Sequence, residues 1–430
     1  MPDRSPYAVA VQTVFTNPIH AVSDSWTIAA DQAFIHDRGL VPNVVVRIAG
    51  GVIEDVVIGG NRSADAVYIE GATLLPGLID PHQHLSFSAD HSVIEHLTRD
   101  SSEVLAARSA GNAQRALASG VTTVVDCGGH SNVILGLRDS AERGLLTLPR
   151  IVSCGAPITT TAGHCHWLGG VADSQSDVIK LVREQIGRGA DFVKVMLSGG
   201  NLTAGTNPAQ LQYEPSVMEA LAKECRRLNR PLVAHVHSAE AIELAALVGV
   251  TVVAHGTCMH QNGDVGATAA IIKALVDNGV FVDPTLMVGK RSGSQDLSAR
   301  GVLREMMLPS FAAMFKAGVP LLAGTDAGVP GIGHDSLSGS IDSLVSEVGL
   351  SIEDALAGAS HRVADAFKLH SRGRLAAGTD ADLVLVPGDL ATSTQGLGRP
   401  HAVWTRGRLV AGNVIAMAGL HWPDPTRVST

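Results

Sequence analysis

The 430-residue sequence lacks the features that mark several large classes of protein. Its five cysteines are scattered, odd in number and without Cys-x-x-Cys spacing, which argues against a disulfide framework or a zinc ribbon. No apolar run reaches about 18 residues, and the N-terminal "MPDRSPYAVAVQTVFTNPIHAV" has no basic start followed by an apolar core. We therefore expect a cytoplasmic protein that does not insert into a membrane.

Basic residues are too few and too dispersed for a nucleic-acid surface. Lysine and arginine total 32 against 41 acidic residues, which gives a formal net charge of -9. Hydrophobic residues make up 45% of the chain and charged residues 17%, enough for a large core. The composition indicates a globular protein with no nucleic-acid or membrane partner.

Short apolar runs alternate with longer amphipathic segments between residues 74 and 370. Eight runs are rich in Val, Ile and Leu, as strands buried on both faces must be: "LLPGLID", "GVTTVVDCGG", "RIVSCGAPIT", "DFVKVMLSGG", "PLVAHVH", "VTVVAHGT", "VFVDPTL" and "VPLLAGTDAG". Eight strand-helix units close naturally into a barrel. The pattern predicts an α/β fold with a (β/α)8 TIM-like barrel over residues 74–370.

The two ends of the chain follow a different pattern. "NVVVRIAGGVIEDVVIGG" alternates apolar and polar positions around a Gly-Gly turn, and "DADLVLVPGDL" and "HAVWTRGRLVAGNVI" do so near the C-terminus. We expect one small β-sandwich domain built from residues 1–73 and 371–430.

Polar side chains cluster where the predicted barrel strands end. Catalytic residues of such barrels lie at the carboxyl ends of the strands, and residues two apart on a strand face the same side. A single His-x-His pair is more simply a strand cap, but five strands that end in such residues are not easily accidental, because each would be buried without a partner. The set comprises His82, His84, Lys194, His235, His237, His255 and Asp326.

Lys194 is the most informative of these residues. A lysine inside a barrel strand is expelled unless its charge is paired with a carboxylate or the side chain is chemically changed. A neutral amine can add carbon dioxide to give a carbamate, an anionic oxygen ligand that bridges two cations. Together with imidazoles and Asp326, it would form a site for two ions, and this nitrogen and oxygen set suits zinc.

Five segments, in this order, carry a family resemblance. "PGLIDPHQH", "VKVMLSGG", "AHVHSAEAI", "VVAHG" and "LLAGTDAG", closed by "GRLAAGTDADLVLV", resemble the amidohydrolase superfamily, and most closely its prolidase-like and carboxypeptidase-like zinc peptidases and ochratoxin-type amidases. The resemblance implies two Zn²⁺ per chain, with other divalent ions as alternatives, and a homo-oligomer. It implies that His82, His84 and Asp326 hold one metal, that His235 and His255 hold the other, and that carboxylated Lys194 bridges them.

The expected reaction is hydrolysis of an amide or peptide bond in a small-molecule substrate, such as an N-acyl amino acid or a dipeptide. Two cations that share a water lower its pKa to about 7 or below, which supplies hydroxide at neutral pH. Asp326 would be the catalytic residue that orients this hydroxide and passes its proton to the leaving nitrogen.

Three further residues are expected to bind the substrate. His164 matches a histidine of the peptidase branch in a Gly-Gly-His turn, although Ala162 stands where the first glycine is usual. Tyr213 matches a tyrosine that reaches a substrate carboxylate in that branch, and His237 faces the same side as His235. Loop packing for His164 and helix-start packing for Tyr213 are equally weighted alternatives.

Two rival hypotheses remain open from the sequence. His237 and Glu240 also fit the His-x-x-Glu pattern of single-metal deaminases and imidazolonepropionase-like enzymes, in which His237 would be the ligand on the fifth strand. A bridging carbamate at Lys194 has no place in such a site. The other hypothesis is a non-catalytic relative that kept the barrel as a scaffold, but no ligand of the set is missing.

Overall fold

The computed structural model describes residues 25–288 and 299–412, with the side chains of residues 299 and 300 outside the description. The predictions for residues 1–24 and 413–430 lie outside these ranges. The strands are β1 (Ser25–Ile35), β2 (Gly39–Ala49), β3 (Val52–Ile58), β4 (Ala72–Pro76), β5 (Leu78–Gln83), β6 (Val121–Asp126), β7 (Arg150–Ser153), β8 (Val193–Met196), β9 (Leu232–Ser238), β10 (Val252–Met259), β11 (Phe281–Asp283), β12 (Leu383–Pro387), β13 (Ala402–Thr405) and β14 (Arg408–Gly412).

Helices follow or separate most of the central strands. They are α1 (Val93–Arg99), α2 (Ser102–Ala118), α3 (Ser131–Glu142), α4 (Gln175–Gly187), α5 (Pro215–Arg227), α6 (Ala239–Val248), α7 (Ala269–Asp277), α8 (Ala299–Lys316), α9 (Leu337–Ser343), α10 (Ile352–Gly358) and α11 (His361–Ala366). Single 3-10 and π-helical turns occupy His166–Leu168 and Leu344–Val348. Among the described residues, no helix is both long and apolar enough to cross a bilayer.

Strands from both ends of the chain form one seven-stranded sheet in the order β14-β13-β12-β4-β1-β2-β3. The predicted Gly-Gly turn joins β2 to β3, where Gly50 and Gly51 have φ values of 56° and 81°, as a tight hairpin with two left-handed residues requires. Ile28, Val46 and Trp404 are buried in the core of this sheet. The prediction of a small β-domain assembled from both termini is confirmed.

The central strands form two parallel arcs, β5-β6-β7 and β8-β9-β10-β11. The amide of Ile158, just beyond β7, donates to the carbonyl of Lys194 at 2.8 Å and joins the arcs on one side. On the other side, the predicted eighth strand has no regular ladder, but Leu322 donates to Val282 at 2.8 Å and Asp326 to His82 at 2.9 Å. The barrel is therefore closed, as predicted.

The predicted first strand, "LLPGLID", is divided between the two sheets. Leu74 and Leu75 belong to β4 and pair with β12 in the seven-stranded sheet, whereas barrel strand β5 begins at Leu78. The chain passes between the sheets at Gly77, where a Cβ atom would lie 2.1 Å from Oγ1 of Thr122. Only glycine fits this close approach, and the apolar run alone does not reveal the change of sheet.

One end of the barrel interior is filled by apolar side chains, which we call the barrel floor. Phe367, at the end of α11, packs against Phe192 with ring centroids 5.1 Å apart. The barrel floor leaves the carboxyl ends of the strands as the open end of the barrel. It comprises Ile79, Val125, Val152, Phe192, Val233, Val252, Leu322 and Phe367.

Candidate active site

Three of the predicted residues form a group at the open end, the His82 group (His82, His84 and Asp326). One ligand atom from each lies within 4.8 Å of the others, and all three residues are buried. Nε2 of His82 and Nε2 of His84 lie 3.5 and 3.3 Å from the same oxygen of Asp326. The structure thus brings together the residues that were predicted at the ends of the first and the eighth strand of the barrel.

Hydrogen bonds fix the orientation of both rings in the His82 group. Nδ1 of His84 lies 2.8 Å from the carbonyl of Gly128 and Nδ1 of His82 lies 3.0 Å from Asp283, so each ring donates from Nδ1, and in that tautomer Nε2 carries the lone pair. A lone pair at each Nε2 then faces the carboxylate of Asp326. Acceptor atoms face one another at this distance only when a proton or a cation lies between them, so the chemistry of the group fits a metal ion.

A second group, the His255 group, contains His235, His237 and His255, again with ligand atoms within 4.8 Å of one another. Nδ1 of His255 lies 2.9 Å from Oγ1 of Thr285, and Nδ1 of His237 lies 2.7 Å from Oγ1 of Thr257. The family resemblance predicts that His235 and His255 hold metal, and His237 is predicted to bind substrate. The geometry places all three together and does not separate the two roles.

Lys194, on β8, is 1% exposed and lies at the same open end. Its Nζ has no hydrogen-bond partner among the described residues. Burial is the first cause that lowers the pKa of His82, His235 and His255, and the charge of Lys194 is a further cause at all three residues, so it acts on both groups. A buried amine without a partner is costly, which makes Lys194 the residue of the site that most requires a modification or a ligand.

Four histidines of the site, His82, His235, His237 and His255, are neutral imidazoles at pH 7. Burial is the main cause that lowers the pKa of His82, and it lowers the pKa of His235 and His255 far below the usual value. Burial also lowers the pKa of His237 to about 4. Burial alone would raise the pKa of Asp326, but His82 and His84 hold it well below its usual range. Neutral imidazoles and one carboxylate are the protonation states that bind divalent metals.

The backbone is strained at several residues of the site. His255 and Asp326 have φ values of 70° and 59°, and Thr285, which contacts His255, has φ 47°. Left-handed conformations of residues other than glycine are uncommon, and β-branched threonine is especially unfavourable there. The surrounding hydrogen bonds hold these residues so that their side chains meet at the site.

The three residues expected to bind substrate have different surroundings. The His82 group, the His255 group and Lys194 line one cavity at the open end of the barrel. His164 also lines this cavity, and its ring stacks on His235 with centroids 4.5 Å apart. His237 also lines it. Tyr213 does not, because its hydroxyl donates to the carbonyl of Ala172 at 2.8 Å and its side chain packs in the core outside the barrel. The structure therefore brings His164 and His237 to the site but not Tyr213.

Sequence reasoning missed residues that support or line the site. Asp283 accepts from His82 and from the amide of Gly324 at 2.9 Å, and Thr285 contacts His255. The run "VFVDPTL" offered a signal, since its Asp and Thr follow an apolar strand as the selected residues do. Arg304 also lines the cavity, but it comes from α8, where no local pattern distinguishes it from other helix arginines.

Comparison with known proteins adds three findings. The model of the Amidohydrolase family matches residues 73–410. Ochratoxinase of Aspergillus niger is 27% identical over 383 residues, 79% of this chain and 76% of that protein, and imidazolonepropionase of Caulobacter vibrioides is 27% identical over 389 residues, 78% and 88% of the two chains. The crystal structure of a prolidase complexed with N-methylphosphonate-L-proline superposes with a TM-score of 0.78 at 26% identity, over 90% of this chain and 99% of that one.

Proposed function

The chain belongs to the amidohydrolase family, and on that premise we propose that it uses two zinc ions to hydrolyse an N-acyl amino acid, a dipeptide or a related small amide. That it is a metal-dependent amidohydrolase acting on carbon-nitrogen bonds follows from the family match and the two metal-binding groups. The substrate class is proposed from the similarity to ochratoxinase and prolidase. The observation that carries the two-ion proposal is the unpartnered, buried Lys194 Nζ beside both groups.

The proposed ligands divide between two ions. His82, His84 and Asp326 would hold one, His235 and His255 the other, and a carbamate on Lys194 would bridge them. The lone pairs at Nε2 of His82 and His84 support the first set, and the neutral state of the His255 group supports the second. Formation of the carbamate joins the neutral lysine nitrogen to the carbon of CO₂ and releases one proton, and it replaces a buried amine that has no partner by an anionic oxygen ligand.

Two bound zinc ions would lower the pKa of a shared water to about 7 and polarise the substrate carbonyl. Asp326 would accept the proton from the attacking oxygen at its carboxylate and transfer it to the leaving nitrogen. The His82 and His84 rings would keep this carboxylate in place. His164 and His237, which line the cavity, would contact the substrate as hydrogen-bond donors.

The single-metal alternative requires Glu240 to act beside His237. Glu240 is an exposed residue in the first turn of α6. It lines a surface groove with Glu243 and Leu247 and does not line the cavity that contains the histidines. A carboxylate in that position does not exchange protons with a substrate in the barrel. Although imidazolonepropionase is among the relatives, we therefore do not propose its reaction for this chain.

Metal analysis, carbamate detection and a hydrolysis screen together test the proposal. We expect two zinc ions per chain, a carbamate carbon signal after incubation with ¹³C-bicarbonate, and turnover in a library of N-acyl amino acids and dipeptides. Lys194→Ala should lose the carbamate signal and at least one metal equivalent, whereas the exposed lysine variant Lys180→Ala serves as the matched control. Full activity of Lys194→Ala, or a single metal in the active wild type, would contradict the proposal.

A further inference from the structure

Arg304 lies in the wall of the active-site cavity, and one nitrogen of its guanidinium has no hydrogen-bond partner among the described residues. The residue is 5% exposed and lines the cavity together with Lys194 and the histidines. Its Nε donates to the carbonyl of Leu286 at 3.1 Å, and Nη1 pairs with the carboxylate of Glu347. Nη2 has no hydrogen-bond partner among the described residues. Two contacts therefore fix the plane of the guanidinium and leave one buried donor group unsatisfied.

The position of this group relative to the metal-binding residues follows from the chain. Leu286, which accepts from Arg304, directly follows Thr285, and the hydroxyl of Thr285 contacts Nδ1 of His255. The guanidinium is thus hydrogen-bonded to the same short segment that contacts His255. Buried polar groups in proteins are nearly always paired, so an exception at an active site points to a ligand that supplies the missing acceptor.

Arg304 is the only arginine among the described residues that line the cavity. Tyr213, which was expected to reach a substrate carboxylate, has its hydroxyl bonded to Ala172 and lies outside the cavity. Lys194, the other basic residue of the cavity wall besides histidine, is assigned above to the metal bridge. A carboxylate that enters the cavity therefore meets one arginine donor, and hydrogen bonds from guanidinium to carboxylate are among the strong ones in proteins.

We propose that Nη2 of Arg304 binds the α-carboxylate of the amino acid that leaves when the amide bond is cleaved, and so selects substrates with a free C-terminal carboxylate. The inference rests on the proposed function, since the leaving amino acid is defined by that reaction. It assigns to Arg304, which lines the cavity, a contact with the substrate carboxylate that was predicted for Tyr213, whose hydroxyl donates to Ala172 in this structure. Glu347 and the Leu286 carbonyl act as positioning groups that hold the guanidinium of Arg304 in the wall of the cavity.

Binding by calorimetry to the zinc-loaded full chain tests this proposal, with N-acetyl-L-amino acids compared with the corresponding N-acetyl-L-amino alcohols. The alcohols keep the amide and the side chain but replace the carboxylate by CH₂OH. We expect the acids to bind about 10- to 100-fold more tightly, as one hydrogen bond to a charged group provides. Arg304→Met combined with Glu347→Gln should reduce this preference to within about 2-fold and leave binding of the alcohols unchanged.

The double variant neutralises the half-buried carboxylate of Glu347 together with the guanidinium that pairs with it. Its matched control is Arg138→Met with Asp191→Asn, because Arg138 also donates to a carbonyl, that of Gly189, and pairs with an acid, and it does not line the cavity. The control should keep the full preference for acids. Arg304→Lys should keep part of it, because it retains the charge but not the planar group. If the double variant does not fold, Arg304→Lys and Arg304→Gln carry the same comparison.

Equal affinity of the wild type for acids and alcohols would overturn the proposal. So would a preference that survives loss of the guanidinium, or an equal loss of affinity for both compounds, which would show a structural role. Acetate release from the same acids tests the proposed function separately. Acid-selective binding that depends on Arg304 without any acetate release would leave this carboxylate site standing and contradict the proposed reaction alone.

Discussion

The two ends of the barrel interior are built from the same strands but have opposite chemistry. Val233 packs in the barrel floor, and His235 and His237, two and four residues further along β9, belong to the His255 group. Phe192, which directly precedes β8, and Lys194 on β8 are related in the same way. The floor is stabilised by apolar burial, whereas the open end buries amine, imidazole and carboxylate groups that cost free energy without their ligands. Stability and chemistry are thus separated along single strands.

The largest effect should come from the open end. Asp326→Asn removes the proposed proton acceptor without changing the size of the side chain, and we expect the rate of amide hydrolysis to fall about 10²- to 10⁴-fold. Asp191→Asn, at a half-exposed acid that pairs with Arg138, serves as the control and should retain wild-type turnover. Turnover within about 3-fold of wild type for Asp326→Asn would remove this residue from the mechanism.

The barrel floor should respond to a cavity rather than to loss of chemistry. Phe192→Ala removes a fully buried ring that contacts Phe367, and it should lower the free energy of unfolding by about 3–5 kcal/mol. Urea denaturation measures this change. The folded variant should still bind the wild-type amount of metal, and a loss of metal at unchanged stability would show that the two ends are not separate.

Asp283 bears on both the buried core and the chemistry of the open end, because it is a buried acid that orients the ring of His82. Asp283→Asn weakens the acceptor for Nδ1 of His82, and we expect metal affinity to fall about 10- to 100-fold. Competition with a chromophoric chelator measures the affinity. Asp264→Asn serves as the control, because Asp264 is an exposed acid in a loop, where it accepts a hydrogen bond from Asn262. Unchanged affinity in Asp283→Asn would mean that the ring is held by its other contacts.

The pH dependence of stability offers the smallest expected effect. Burial lowers the pKa of His334 from 6.5 to about 4, so the unfolded chain binds a proton in this interval that the folded protein does not. Stability should therefore fall as the pH decreases from about 6.5 towards 4, by about 2 kcal/mol for this residue at pH 5. His334→Gln should remove that part of the loss between pH 7 and 5 in urea titrations, and His91→Gln, at an exposed histidine, should not.

Much of the site could be predicted because strand alternation is a property of the chain itself. Val233, His235 and His237 are each two residues apart, as are Phe192 and Lys194, so once the barrel closes these side chains all face its interior. The barrel and the sheet built from both termini could be inferred from periodicity for the same reason. The division of "LLPGLID" at Gly77 could not, because both halves are equally apolar.

Two other ligand candidates depend on departures from alternation. Val252 and Ala254 of β10 face the barrel floor, so strict alternation would turn His255 outward. The left-handed backbone of His255, where the pairing of β9 and β10 shifts, returns its ring to the cavity. A similar shift after Asp80 on β5 lies between Ile79 in the floor and His82 at the site. Neither irregularity is visible in the apolar pattern.

The sequence by itself determined which residue types meet at the open end, since order along the chain and the period of a strand already assign Lys194, His235 and His237 to one face. Tertiary structure decided which further side chains join them. Register shifts re-aim His82 and His255, the bond to Ala172 holds Tyr213 away, and the packing of α8 against the barrel brings in Arg304. These outcomes depend on contacts between segments distant in the chain, which no local period encodes.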